Sequence, residues 1–203
     1  MNHEGRIGVL ISGRGSNFKS ILEACNSGVI RARVVVVISN RPEAAGLEIA
    51  RQAGVETFVL SHRQFPVREE YDAQIVKVLK ERNVDLVCLA GFMRLLSPVF
   101  VRAFPGKIMN IHPALLPAFP GLHAQRQAVE YGVKITGCSV HFVDEGLDSG
   151  PIILQKTLDV RPDDTEESLS ARLLPLEHRT YVEAVRLFFE NRLKIDRRKV
   201  IIL

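Results

Sequence analysis

Asn110 and His112 stand two residues apart in the run Lys107-Ile108-Met109-Asn110-Ile111-His112-Pro113. Residues 108–111 read as a short buried strand. Strand side chains alternate between faces with period two, so Asn110 and His112 share one side. Pro113 stops the strand and leaves His112 at its carboxyl end, where open α/β sheets place their ligands. An amide donor beside an imidazole at a strand tip suits a reaction that develops negative charge on an oxygen. A histidine there can equally be a hydrogen-bonded structural residue beside a turn, so its neighbours must decide between the two.

The missing partner is a group that orients and charges the imidazole. The acidic run Asp144-Glu145-Gly146-Leu147-Asp148-Ser149-Gly150-Pro151 offers Asp144, Glu145 and Asp148, and the sequence leaves the choice among them open. A carboxylate beside His112 is expected to raise its pKa, so that the protonated ring can donate to a developing oxyanion. Such a set suits attack by an amine on a carbonyl already activated by its carrier, with no covalent enzyme intermediate and no metal. Other chemistries fit less well. His112, His123 and His141 lie 11 and 18 residues apart, with no i, i+4 pair on a helix and no CxxC, so a metal site is not expected. Cys25, Cys88 and Cys138 fall within apolar periodic segments, where buried inert thiols are the rule. A G-x-S-x-G elbow is absent.

A second site is written near the start of the chain. Residues 6–12 form an apolar, β-branched run of the kind buried in a parallel sheet, and Gly13-Arg14-Gly15-Ser16-Asn17 follows at once. A helix over about residues 18–25 comes next. Strand, glycine loop and helix make an anion cradle, where backbone N–H groups and the helix dipole converge. Phe18 stands where a dinucleotide fingerprint wants its third glycine, and no Lys-Ser/Thr pair follows for a P-loop. The second strand, residues 32–39, ends in Ser39-Asn40-Arg41 with no acidic residue to hold a ribose. Arg41 keeps a 2′-phosphate, and so an NADP reductase, as a rival reading.

These groups need a scaffold, and the pattern supplies one. Helices over 44–53 and 68–82 and strands over 56–60 and 85–90 continue a βα alternation. Arg68 opens its helix against the macrodipole, which points to a solvated charge or an anion partner. Ser97-Pro98 reads as an N-cap followed by proline at the first helical position. The apolar stretch Met93-Arg94-Leu95-Leu96 before it is either packed connection or pocket wall. A helix over 124–131 is followed by strands over 136–143 and 152–159, whose short loop makes them antiparallel and the sheet mixed. Asp164-Thr165 caps a last helix running to about residue 191, with a kink expected near Pro175. Residues 193–203 receive no assignment, and the basic run 194–199 reads as a solvated tail.

Composition bounds the partners. The 203 residues suit one α/β domain with an open, Rossmann-like, mostly parallel but mixed sheet and helices on both faces. Hydrophobic residues make up 46%, yet no apolar run approaches the ~20 residues of a membrane helix. Residues 1–5 carry no export signal, and three widely spaced cysteines suit reduced thiols in the cytoplasm. A net charge of +4, with no Trp and no aromatic-interleaved basic stripe, favours small anions over nucleic acid.

Taken in order, Gly15-Ser16-Asn17, Ala90-Gly91-Phe92-Met93-Arg94, the run from Asn110 through Pro113 to Pro117, Phe119-Pro120-Gly121 and Leu147-Asp148-Ser149-Gly150-Pro151 resemble the phosphoribosylglycinamide formyltransferases of purine biosynthesis. The resemblance covers residues 6–190. It implies a single formyltransferase domain over residues 1–203, with nucleotide-phosphate binding in the N-terminal half and folate binding in the C-terminal half. The implied reaction moves a formyl group from 10-formyltetrahydrofolate, a co-substrate, to the amine of glycinamide ribonucleotide, without metal or nicotinamide. By the same resemblance Asn110, His112 and Asp148 are catalytic, while Gly15, Ser16, Asn17 and Glu177 bind the nucleotide. Arg68, Met93, Arg94, Leu95, Leu96, Asn110, Asp144, Glu145, Gly146 and Leu147 bind the folate. The implied partners are small molecules, with no nucleic acid and no membrane, acting on a monomer or homodimer. Ala114 departs from the family's usual Ser, and Pro175 lies close to Glu177. Five residues before the first strand and about a dozen after the last helix leave little room for the extra domains of related hydrolases and tRNA formyltransferases. A sugar-nucleotide formyltransferase or a non-catalytic nucleotide- or folate-binding regulator are the remaining alternatives.

Overall fold

The run GRIGVLI has almost no polar side chain to satisfy, and it forms a strand buried on both faces, β1 (Gly5–Ile11). In this computed structural model residues 4–203 are described; the export-signal expectation at Met1, Asn2 and His3 lies outside them. The chain divides into two compact units, Met1–Met109 and Asn110–Leu203.

In the first unit β1 is followed by α1 (Ser16–Asn26), β2 (Ala32–Ser39), α2 (Gly46–Gln52), β3 (Glu56–Val59), α3 (Arg68–Glu81), β4 (Leu86–Leu89) and α4 (Pro98–Ala103). A single 3-10 turn, His62–Gln64, precedes α3. The strands lie in the order β3-β2-β1-β4, every pair parallel. Ile7, Val9, Leu10, Val36, Val37, Ile38, Leu86 and Val87 fill the sheet interior with essentially no exposure. On α3 the buried positions Tyr71, Asp72, Ile75, Val76 and Leu79 recur at helical spacing and give the helix its inner face.

The division falls inside β5 (Ile108–His112), between Met109 and Asn110. The second unit continues with α5 (Ala124–Tyr131), β6 (Ile135–Phe142), β7 (Ile152–Asp159), α6 (Glu166–Phe189), β8 (Leu193–Asp196) and β9 (Lys199–Ile202). β6 and β7 are antiparallel as the short connection required, β7 meets β9 in parallel at Ile152 and Lys199, and β8 and β9 form an antiparallel pair. The expected α/β class with a mostly parallel, mixed sheet is therefore the one adopted. Leu169, Leu173, Glu177, Tyr181 and Ala184 form the buried stripe of α6. Thr165 caps it, accepting from the Ser168 N–H while Ser168 Oγ accepts from the Thr165 N–H.

Two local expectations change, and the extent of the last helix does not: α6 runs through Pro175 to Phe189. The run 194–199 is exposed, as a solvated segment is, but it is not a tail: residues 193–203, left without an assignment, contain β8 and β9, closed by hydrogen bonds between Arg192 and Leu203. Ser97 occupies the N-cap of α4, but its hydroxyl makes no cap hydrogen bond; its backbone N–H donates instead to the Asp72 carboxylate at 2.5 Å. Asp72 is fully buried, and burial pushes its pKa up against the opposing effect of the Ser97 hydrogen bonds.

Removing that acceptor leaves a buried N–H unpaired. Asp72→Ala is expected to lower unfolding free energy by about 1–3 kcal/mol, read from the denaturant midpoint. Asp72→Asn, which keeps an acceptor and removes the buried charge, should lose less. Equal losses would dissociate Asp72 from the anchoring of residue 97.

Candidate active site

β5 delivers Asn110 and His112 to the same side, and Asp148 meets both. His112 Nδ1 lies 3.3 Å from Asp148 Oδ2, and Asn110 Nδ2 donates to Asp148 Oδ1 at 3.4 Å. The Gly121 N–H donates to Oδ2 at 2.8 Å. Among the three carboxylates left open by the sequence, Asp148 is the one turned toward His112. Asp144 is turned into its own loop, its Oδ1 accepting from Ser149 Oγ at 2.6 Å and from the Gly146 N–H at 3.0 Å.

A fourth side chain joins the set. His141, at the end of β6 and 2% exposed, places Nε2 3.2 Å from Asn110 Nδ2 and 3.7 Å from Asp148 Oδ1. Its Nδ1 faces the Phe142 carbonyl at 2.8 Å, which can only accept, so Nδ1 carries a proton. Nε2 thus faces both the Asn110 amide and the Asp148 carboxylate. The Ser139/His141 alternation within the apolar run of β6 was the signal available for it in the sequence.

His112 is 4% exposed, and both ring nitrogens face acceptors: Asp148 at Nδ1, the Phe119 carbonyl at Nε2, 2.8 Å away. Its pKa nevertheless falls below the ordinary histidine value. Desolvation is the largest influence and lowers it, the Asp148 charge and the Phe119 carbonyl raise it, and His141 lowers it slightly further. The expected rise is thus corrected: the carboxylate pushes upward as argued, but burial outweighs it. Asp148 itself lies below the ordinary carboxylate range. Burial opposes ionisation there, and the His141 and Gly121 hydrogen bonds with the charges of His112 and His141 overcome it.

In the first unit, Gly15 precedes α1 with φ 74°, in the left-handed region. A Cβ on Gly15 would sit 2.7 Å from Gly46 Cα, so the loop is both backbone-strained and closely packed for any other residue. Ser16 and Asn17 form the first turn of α1, which has no acidic side chain to compete with an anion. The carboxyl ends of β1, β2 and β4 are joined by one hydroxyl: Ser12 Oγ donates to Asn40 Oδ1 at 2.7 Å and accepts from the Met93 N–H at 2.9 Å. Met93 and Leu95 are 59% and 51% exposed, whereas Leu96 is buried. Arg94 stacks over the Tyr71 ring at 5.3 Å. Arg68 opens α3, 3.8 Å from Glu69, with both side chains open to solvent. In the second unit Glu177 is buried on α6, and Glu145, Gly146 and Leu147 lie on the loop with Asp144.

Sequence reasoning did not find Ser12, Asn40, Phe119 or Gly121 as partners of site residues. Cys88 and Cys138 are buried as expected, while Cys25 is only partly so; burial pushes the Cys25 thiol up to about 12 and the Cys138 thiol up to about 11. Among the described residues no group of three or more His, Cys, Asp or Glu is placed to hold a metal ion, and no helix is long and apolar enough to cross a membrane.

Asn110, His112 and Asp148 thus form one hydrogen-bonded set at a strand tip of an α/β sheet. The chain belongs to the formyl transferase family, whose model matches residues 5–185. It is similar to the phosphoribosylglycinamide formyltransferase of Escherichia coli strain K12, with 47% identity over 187 residues, 92% of this chain and 88% of that protein. The crystal structure of glycinamide ribonucleotide transformylase 1 from Symbiobacterium toebii superposes with a TM-score of 0.98 at 55% identity, over 100% of this chain and 96% of that one. The trifunctional purine biosynthetic protein adenosine-3 of Drosophila melanogaster is 51% identical over 182 residues, and there the match spans 89% of this chain but only 14% of the relative.

Because Asp148 is the influence that raises the His112 pKa, removing its charge should lower that pKa further. In an NMR titration of the His112 ring, the wild-type midpoint is expected below that of an exposed histidine, and the Asp148→Asn midpoint lower still. An upward move in the variant would contradict the assignment.

Proposed function

We propose that the protein transfers the formyl group of 10-formyltetrahydrofolate to the amine of 5′-phosphoribosylglycinamide, giving formylglycinamide ribonucleotide and tetrahydrofolate in purine biosynthesis. The observation that carries this reading is the half-buried Asp148 carboxylate, one oxygen on His112 and the other on Asn110. The acceptor is the one the similar enzymes are named for, and the folate carrier follows from the family resemblance.

The amine nitrogen attacks the formyl carbon, and the carbonyl oxygen becomes an oxyanion. Asn110 has two amide N–H groups; one is engaged with His141 and Asp148, and the other serves the oxyanion. His112 donates from Nε2, because Nδ1 is held by Asp148. Nε2 faces the Phe119 carbonyl, so a productive complex exchanges that carbonyl for the substrate oxygen. Collapse of the tetrahedral intermediate expels the tetrahydrofolate nitrogen, which gains a proton while the attacking nitrogen loses one. Asp148 stabilises the imidazolium and fixes the ring, offsetting part of the burial effect.

Gly15, Ser16 and Asn17 bind the substrate phosphate in this reading, supported by the left-handed glycine and the non-acidic helix start. Glu177 serves the ribose. Arg68, Met93, Arg94, Leu95, Leu96 and the loop residues Asp144, Glu145, Gly146 and Leu147 serve the folate, supported by the exposed apolar surfaces of Met93, Leu95 and Leu147. In the assignment by halves, residues 1–203 act as a single formyltransferase domain, with phosphate binding in the N-terminal half and folate binding centred in the C-terminal half. We also assign the protein to the cytoplasm, as a monomer or homodimer with small-molecule partners; an odd number of widely spaced cysteines, Cys25, Cys88 and Cys138, suits a reducing compartment.

In a tetrahydrofolate-release assay with glycinamide ribonucleotide, His112→Ala and Asp148→Asn are expected to lower kcat by about 10²–10⁴-fold while leaving KM for the nucleotide close to wild type. Full kcat with a raised KM would remove both from the chemistry. Asn17→Ala should do the reverse, raising KM for the phosphorylated acceptor; an unchanged KM would take the glycine loop out of the phosphate site. Release without the acceptor would indicate a hydrolase.

A further inference from the structure

Arg198 lies in the turn between β8 and β9, and its Nη2 donates to the Ser149 carbonyl at 2.7 Å. Ser149 follows Asp148 directly. We propose that Arg198 is a positioning residue of the transfer site, holding the 144–150 loop in the geometry that brings Asp148 to His112. This rests on the catalytic reading above.

The loop needs an external hold for local reasons. Asp148 adopts φ 46°, a left-handed conformation that a residue with a Cβ keeps only when its surroundings enforce it. Two residues on, Gly150 is pressed so closely to the preceding strand that a Cβ would lie 1.8 Å from the Phe142 carbonyl oxygen. Between these constrained points Ser149 is gripped twice. Its hydroxyl donates to Asp144 Oδ1 from within the loop, and its carbonyl accepts from Arg198 outside it. The outer grip is charge-assisted, and its base is short: Lys199, beside Arg198, pairs in register with Ile152, which opens β7 just after the loop. The basic turn at 197–199 thus has a task that composition alone did not suggest.

An exposed hydrogen bond of this kind contributes little to global stability. Its effect is expected where geometry is demanding, at the Asp148–His112 contact. His112 is faced by Asp148, the Phe119 carbonyl and His141, and Asp148 by His112, His141, Asn110 and the Gly121 N–H. Of these groups, only Asp148 lies next to the residue that Arg198 holds. Loosening it removes part of the influence that raises the His112 pKa. A kcat that depends on protonated His112 is then lost at lower pH.

The test uses the full chain carrying Arg198→Ala or Arg198→Lys. Arg198→Ala is expected to lower kcat about tenfold, with KM for glycinamide ribonucleotide unchanged and the melting temperature nearly so. Its alkaline decline in kcat and its His112 NMR midpoint should both move to lower pH. Arg198→Lys, which can still donate to the carbonyl, should recover most of the rate. In an Asp148→Asn background Arg198→Ala should cost nothing further. Wild-type kcat and pH profile in Arg198→Ala, or the same fold-loss in both backgrounds, overturns the proposal. A His112→Ala variant with undiminished kcat would instead overturn the catalytic reading, whatever Arg198 does.

Discussion

The interaction on which the rest depends is the sharing of one half-buried carboxylate. An ionised Asp148 in a partly desolvated setting is costly unless its lone pairs find donors or positive charge. Here Oδ2 takes the Gly121 N–H and faces His112, while Oδ1 takes Asn110 and faces His141. The constraint acts in both directions. Asp148 stays ionised because those groups surround it, and they hold their orientations because it is ionised. A flipped Asn110 amide would turn an oxygen toward the carboxylate, so the amide has one acceptable orientation.

Around that carboxylate the second unit is built from close backbone approaches. β5 ends at His112 because Pro113 cannot continue a ladder, and the 119–121 turn comes back to give His112 a carbonyl and Asp148 an N–H. β6 supplies His141 from its last turn of pleat, and β7 starts only after Gly150 has passed the Phe142 carbonyl. Each contribution is a single residue from a different segment. The arrangement tolerates little drift in any of them.

Much of this was legible in the sequence where the information is local. Strand periodicity placed Asn110 and His112 on one side, the boundaries of β2, α5 and β7 fall where composition and turn residues put them, and the short 144–151 connection implied an antiparallel pair. What could not be read is what depends on contacts between distant residues. Asp144 and Asp148 look alike in sequence, and only the loop's own hydrogen bonds turn one inward and the other onto Ser149. The direction of the His112 pKa shift depends on how much water the fold removes, a quantity with no one-dimensional signature. Ser97 carries the correct cap residue type, yet its environment gives the anchoring to Asp72, 25 residues away. β8 and β9 escaped because each is only four residues long and they flank the charged turn Arg197-Arg198, so the alternation in Leu193 to Asp196 is too short to stand out.

The Ser12 hydroxyl has a consequence of a mechanical kind. It owns one proton, given to Asn40, so its lone pair is what remains for the Met93 N–H. The Ser12 N–H is bound in turn to the Gly91 carbonyl. Three loops that leave three parallel strands are thereby riveted at one atom, with a fixed direction to the chain of donors. They share a common stiffness, so a ligand that grips one strand tip is resisted by all three. The rim of the first unit therefore responds to load as a single rigid lip rather than as separate flexible loops.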